Sequence, residues 1–135
     1  MDITAVNRGT ASPQIATPVA PVDRSAEHRE VVKAEVLKGH LDALVLAALE
    51  QEPAHGYAII QRLSRRSDDV FKLPEGTIYP ALHRLERDGL VSSRWTAASG
   101  RKRRVYRITR SGREGLAVRK LEWKTFSRAV EAVFA

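Results

Sequence analysis

Between Leu73 and Gly89 the chain reads LPEGTIYPALHRLERDG, and this stretch constrains the fold more than any other. Ile78, Leu82 and Leu85 recur at i, i+4 and i+7, so they line one side of a helix and must bury there. Thr77, Pro80, Arg84 and Arg87 fall on the opposite side of that helix, bordered by Tyr79 and His83. Gly89 stands where a helix ends, just past its last turn. A helix anchored on one face, with hydroxyls, imidazole and guanidinium on the other, has the build of a reading head for DNA. An ordinary amphipathic surface helix with a solvated charged face has the same pattern, so the neighbouring segments must decide.

Upstream, Gly39 to Glu52 predicts a central core helix. Leu41, Leu44, Val45, Ala48 and Leu49 give the full i, i+3, i+4, i+7, i+8 stripe, with Leu46 and Ala47 widening it. Pro53 stops it, and His55-Gly56-Tyr57 opens a second helix. There Ile60 and Leu63 are expected to face inward and Gln61, Arg62, Arg65 and Arg66 outward. Downstream, Leu90–Thr96 and Arg103–Thr109 are β-branched or aromatic segments separated by Ala98-Ser99-Gly100, which predicts a β-hairpin. Three short helices followed by a basic hairpin make a winged helix-turn-helix, an α+β class that is mostly α. Ser111-Gly-Arg-Glu114 has capping-box spacing and is expected to begin a last helix. Leu116, Trp123, Phe126, Val130 and Val133 follow a/d-like spacing along it, interrupted by Arg119. The expected use of that seam is dimerisation, with packing onto its own domain as the other reading. The chain thus divides into a tail over 1–33, a winged helix-turn-helix over 34–110 and a C-terminal dimerisation helix over 111–135. Pro13, Pro18 and Pro21 and the lack of periodicity predict a disordered start to the tail, and Ser25–Lys38 suits a thinly striped helix.

Charge narrows the partner. The 135 residues carry a formal charge of +7, yet residues 1–33 hold four bases and four acids. The whole excess therefore lies further on, and residues 94–113 contain eight bases and no acid. Such a cluster marks a polyanion, nucleic acid before acidic lipid. Cysteine is absent, which removes disulfides, thiolate metal sites and a cysteine nucleophile. There is no Gly-rich phosphate loop, and His28, His40, His55 and His83 stand without carboxylates at metal or triad spacing. No enzyme, cofactor or metal site is expected. With no secretory signal and no apolar run long enough to span a bilayer, the expectation is a cytoplasmic protein that does not engage membranes. RNA also fits the charge, but no aromatic stacking platform is expected at exposed positions.

Five blocks carry a resemblance: Lys38–Asp42 (KGHLD), Glu52–Tyr57 (EPAHGY), Glu75–Glu86 (EGTIYPALHRLE), Asp88–Val91 (DGLV) and Gly100–Thr109 (GRKRRVYRIT). In order and spacing, over roughly 36–135, they resemble the PadR family of bacterial transcriptional regulators, in its short form with a single C-terminal helix. The resemblance implies a winged-helix homodimer that represses genes, often its own. It also implies release by small hydrophobic or aromatic effectors, with Trp123 at the position of a tryptophan that lines a pore between protomers. The wing strand departs from the family pattern at Val105, where the first of two adjacent aromatics is usual. The tail before residue 33 is also longer than in most such proteins.

These readings assign candidate residues. Thr77, Tyr79, His83 and Arg84 are the groove contacts of the third helix; an arginine that pairs both donors with guanine discriminates by about 1–3 kcal/mol. Pro80 removes an amide donor and fits best if the regular helix starts late. Arg101, Lys102, Arg103 and Arg104 are wing contacts to phosphate, which supply affinity with little sequence information. His55 and Tyr57 stand at a helix N-terminus, where either a phosphate site or a plain structural role fits. Leu116, Trp123, Phe126 and Val130 belong to the dimer or effector region; Trp123 and Phe126 either stack on a planar ligand or pack the interface. Tyr106 and Ile108 are expected in the core. The expected partners are double-stranded DNA, a second copy and a small aromatic effector. The rival from another class is a winged helix used for protein–protein contact without specific DNA binding.

Overall fold

A computed structural model of the chain describes residues 37, 39–98 and 100–135. The expected tail, and nearly all of the helix expected over Ser25–Lys38, lie outside the described residues.

The predicted stripe of the third helix is buried: Ile78, Ala81, Leu82 and Leu85 face the core from a helix spanning Glu75–Arg87. It meets two earlier helices, α1 (Leu41–Ala48) and α2 (Gly56–Arg66), and is α3. α1 is shorter than the expected 39–52. Gly39 takes φ +89° ahead of it, and Leu49 and Glu50 donate to Leu46 and Ala47 at i−3, tightening its end. Carbonyls at and just past that end also accept from arginines of α2, because the last carbonyls of a helix are short of amide partners within it. Arg62 Nη1 donates to the carbonyls of Ala48 (2.8 Å) and Glu52 (3.0 Å), and Arg66 Nη1 to that of Ala47 (3.1 Å). Arg62, expected to face outward, keeps only 16% of its side chain exposed.

α3 runs through Pro80 rather than starting late. Its first amide bonds, from Thr77 and Ile78 to Pro74 O, form ahead of that ring, and Pro80 stands on the exposed face. At the far end Gly89 takes φ +77° and its amide donates to Glu86 O, so the predicted stop is present.

The hairpin follows as β2 (Val91–Ala98) and β3 (Arg101–Ile108), with Gly100 at φ +76° in the turn. β1 (Ala54–His55) adds a third strand that the sequence did not announce, because two residues are too short to alternate. The order is β1-β3-β2, all antiparallel, with Ala54 opposite Tyr106 and Val91 opposite Ile108. Val91, Tyr106 and Ile108 bury against the helices, as expected for the last two.

The last helix, α4 (Arg110–Phe134), starts one residue before the expected Ser111. Its cap is Thr109, not Ser111: Thr109 Oγ1 accepts from Gly112 N at 3.0 Å and donates to Gly89 O at 2.7 Å. Thr109 is still extended at the end of the strand, which is the backbone an N-cap needs, whereas Ser111 is already helical. Leu116, expected on the dimer seam, is 2% exposed in the core of its own domain. The first turns of α4 press against Leu90 and Ile108 at Gly112, so a residue two turns in still faces this core. Beyond it α4 keeps touching the domain through Lys120, paired with Glu50 at 3.0 Å, while Val118, Leu121, Trp123, Phe126, Val133 and Phe134 are exposed.

Candidate nucleic-acid interface

α3 and the hairpin are held to each other by side chains. Glu86, near the end of α3, accepts from Ser93 Oγ at 2.6 Å and from Arg104 Nη2 at 3.4 Å, while Arg104 Nε donates to Ser93 at 2.8 Å. The Arg104 guanidinium also stacks over Trp95, 5.5 Å from the ring centroid. Arg104 therefore reaches the interface already partnered, unlike Arg101 and Lys102, whose exposed side chains have no polar partner among the described residues.

Of the four α3 candidates, His83 and Arg84 are exposed and Thr77 and Tyr79 half-buried. Arg84 Nη2 lies 2.9 Å from Asp42 Oδ1 of α1, an ion pair spanning 42 residues of sequence. Tyr79 lies across the first residue of α2. A Cβ at Gly56 would overlap the Tyr79 hydroxyl and ring edge, so the glycine is required by that packing. Tyr79 is thus first a contact between α3 and α2, and its hydroxyl ends at the α2 N-terminus.

The same N-terminus gathers two further candidates. His55 is the N-cap of α2, with Nδ1 3.3 Å from the Ala58 amide, and its Nε2 lies 2.8 Å from Arg103 Nη1 of β3. Both neighbours are donors and a neutral imidazole has one acceptor nitrogen, so the two bonds alternate with the tautomer. Protonation would abolish both. Burial, then the charges of Arg103 and Arg62, hold His55 below its ordinary value of 6.5 and keep it neutral. Tyr57, one residue into the helix, is exposed. Tyr79, His55 and Arg103, from three elements, thus meet where backbone amides point outward and favour an anion.

On the opposite side of α1, a cleft of about 440 Å³ opens between α1 and α4, walled by Ala43, Leu44, Phe71, Leu116, Trp123 and Phe126. His40 stands edge-on to Trp123 at 5.3 Å, and Trp123 and Phe126 are 6.1 Å apart at a tilt of 40°. Arg119, which interrupts the seam, lines this cleft; Val130 is half-buried further along α4. Among the described residues no helix is long and apolar enough to cross a membrane, and no cluster of His, Cys, Asp and Glu could hold a metal ion.

The profile of the Transcriptional regulator PadR-like family matches residues 45–118, more than half of the chain. The chain belongs to the PadR family. This PadR protein is similar to an uncharacterized protein of Lysinibacillus sphaericus, 30% identical over 102 residues that cover 75% of this chain and 94% of the relative. It is also 48% identical over 62 residues to a transcriptional regulator of Mycobacterium tuberculosis, covering 46% of this chain and 55% of that one. Among solved structures, a PadR-like regulator from Bacillus cereus superposes with a TM-score of 0.66 at 32% identity, covering 75% of this chain and 97% of the other. A PadR-family protein with this fold is a DNA-binding transcriptional regulator and not an enzyme.

The sequence missed the acids. Asp42 and Glu86 engage two of the candidate arginines, and nothing in local spacing relates Asp42 to Arg84 or Glu86 to Arg104. It also expected no exposed aromatic platform, whereas Trp95 keeps 62% of its surface exposed in the middle of the basic hairpin.

Proposed function

We propose that the protein is a homodimeric repressor whose α3 helices enter successive major grooves and whose wings lie along the flanking backbone. A small aromatic effector taken up between α1 and α4 releases it. The observation that carries this reading is α4 itself: it closes one side of an aromatic cleft, then continues with an exposed apolar stripe. A stripe of this extent on a soluble chain marks an interface, and a second α4 supplies a matching one. The cleft volume falls in the range of sites for small organic ligands.

Thr77, His83 and Arg84 are the residues proposed to face the groove, with Arg101 and Lys102 as phosphate contacts of the wing. Phosphate at the α2 N-terminus would meet the Tyr79 hydroxyl and Arg103. A dimer bound across two half-sites blocks access to a promoter, which is repression. A ligand in the cleft bears on α1 and α4 together, so it favours spacings of the two α3 helices that no longer match the grooves.

The test is a gel shift on the DNA upstream of its own gene against a scrambled duplex. With about six phosphate contacts per dimer, affinity falls roughly 10³-fold between 50 and 200 mM salt. Planar aromatic acids and cations are then titrated against the complex, with Trp123 emission followed in parallel. Equal affinity for both duplexes, or no response to any aromatic, would count against sequence-specific, effector-released repression.

A further inference from the structure

On β2 and β3 the side chains alternate between two faces of the hairpin. Val91, Ser93, Trp95 and Ala97 share one face with their partners Ile108, Tyr106, Arg104 and Lys102. The first two pairs lie over the core, Val91, Ile108 and Tyr106 being buried. The same face then runs on past the core, and the next pair, Trp95 and Arg104, is exposed. Glu86 touches both Ser93 and Arg104, so this face is the one turned to α3.

Trp95 is 62% exposed there. Arg104 is stacked on it and Lys102 lies diagonal to it, while Arg94, Arg101 and Arg103 occupy the other face. A large apolar surface inside a basic field fits a partner that is anionic and also presents apolar groups beside its charges. Duplex DNA has both, since deoxyribose carbons and base edges line the grooves between the phosphates; an acidic protein surface supplies the charge without that regular apolar lining.

We propose that Trp95 is a DNA contact of the wing, packing its ring on deoxyribose and base edges of the groove beside the one that α3 occupies. This rests on the docking proposed above. Its contribution differs in kind from that of the surrounding cations. Arg104 is already paired with Glu86, so the Trp95–Arg104 unit brings a preset stacking plate and little free charge. Ser93, Glu86 and the Trp95 ring hold that guanidinium in place, which removes the ordering cost that an isolated arginine would meet on binding.

The experiment uses the full chain. Trp95→Ala is expected to weaken duplex binding about ten-fold, near the low end of what an aromatic contributes when it stacks on an unpaired base, with the slope of log affinity against log salt unchanged. Lys102→Ala is expected instead to lower that slope by about one. Trp95→Phe should recover most of the affinity. In a Trp123→Phe chain, where Trp95 is the only tryptophan left, saturation with duplex should shield its emission from acrylamide. A bound duplex that leaves Trp95 fully quenchable, or unaltered affinity in Trp95→Ala, would overturn the assignment while leaving the docking reading intact. Protection by single-stranded RNA but not by duplex DNA would overturn it too. Failure of the natural chain to bind any duplex would overturn the docking reading, and Trp95 with it.

Discussion

At the residue scale, two contacts decide how the hairpin and α3 sit on the N-terminus of α2. Gly56 leaves room for the Tyr79 ring, and a methyl group there has no void to enter. Gly56→Ala is expected to cost about 1–3 kcal/mol, read as a lower urea midpoint. The same substitution should cost clearly less in a Tyr79→Ala background, since the obstruction is then gone. His55 gives the second contact a pH dependence. Its value in the folded chain is lowered, so the neutral ring is the folded form. That contribution is complete above the ordinary value of 6.5 and is lost as pH falls through the lowered one. Melting at pH 5.5 compared with 7.5 should show the chain losing more stability than its His55→Asn variant, which caps the helix without titrating. An equal loss in both would take the pH effect away from His55.

At the scale of elements, α1 lies between the cleft and α3. Ala43, Leu44 and Ala47 line the aromatic cleft, while Asp42 holds Arg84. Asp42→Asn is expected to free that arginine, raise affinity for duplex DNA several-fold and steepen the salt dependence by about one phosphate contact. In an Arg84→Ala background the same substitution should do almost nothing; fluorescence anisotropy at several salt concentrations measures both. How much of this was legible in the sequence follows from the range of the forces involved. The face of α3, the stop at Gly89 and the hairpin were readable because periodicity and turn chemistry are local. The two residues of β1 were not, since their pairing depends on β3, far along the chain. Arg62 was placed outward because polarity argues for solvent, yet unpaired carbonyls at the end of α1 offered it better partners. Thr109 won the cap from Ser111 because the extended backbone ends there, two residues earlier than the motif spacing assumed, and Ser111 is already helical. The ion pairs of Arg84 and Arg104 belong to the fold as a whole, and no window of sequence contains both partners of either.

For the whole molecule, α4 carries apolar surface that the winged domain does not cover. Its first turns complete the domain through Leu116, its middle walls the cleft with Trp123 and Phe126 half-covered at most, and Val133 and Phe134 at its end are exposed. Phe126→Glu places a charge on the proposed interface and is expected to yield monomers by sedimentation, with the melting of the winged domain little changed. Binding to a duplex carrying two half-sites should then fall by orders of magnitude, and to a single half-site much less, because linkage between the two reading units is lost. A variant that stays dimeric would move the interface off this stripe.

On the docking proposed above, the Asp42–Arg84 pair has a consequence for the search along a chromosome. The carboxylate answers the arginine in the way a phosphate would, so a contact to phosphate alone would gain little by displacing it. A matching base edge that satisfies the guanidinium with directed hydrogen bonds would offer something the carboxylate does not. The chain would then dwell less on the many wrong positions it must cross, and a larger share of its binding energy would be reserved for the few right ones.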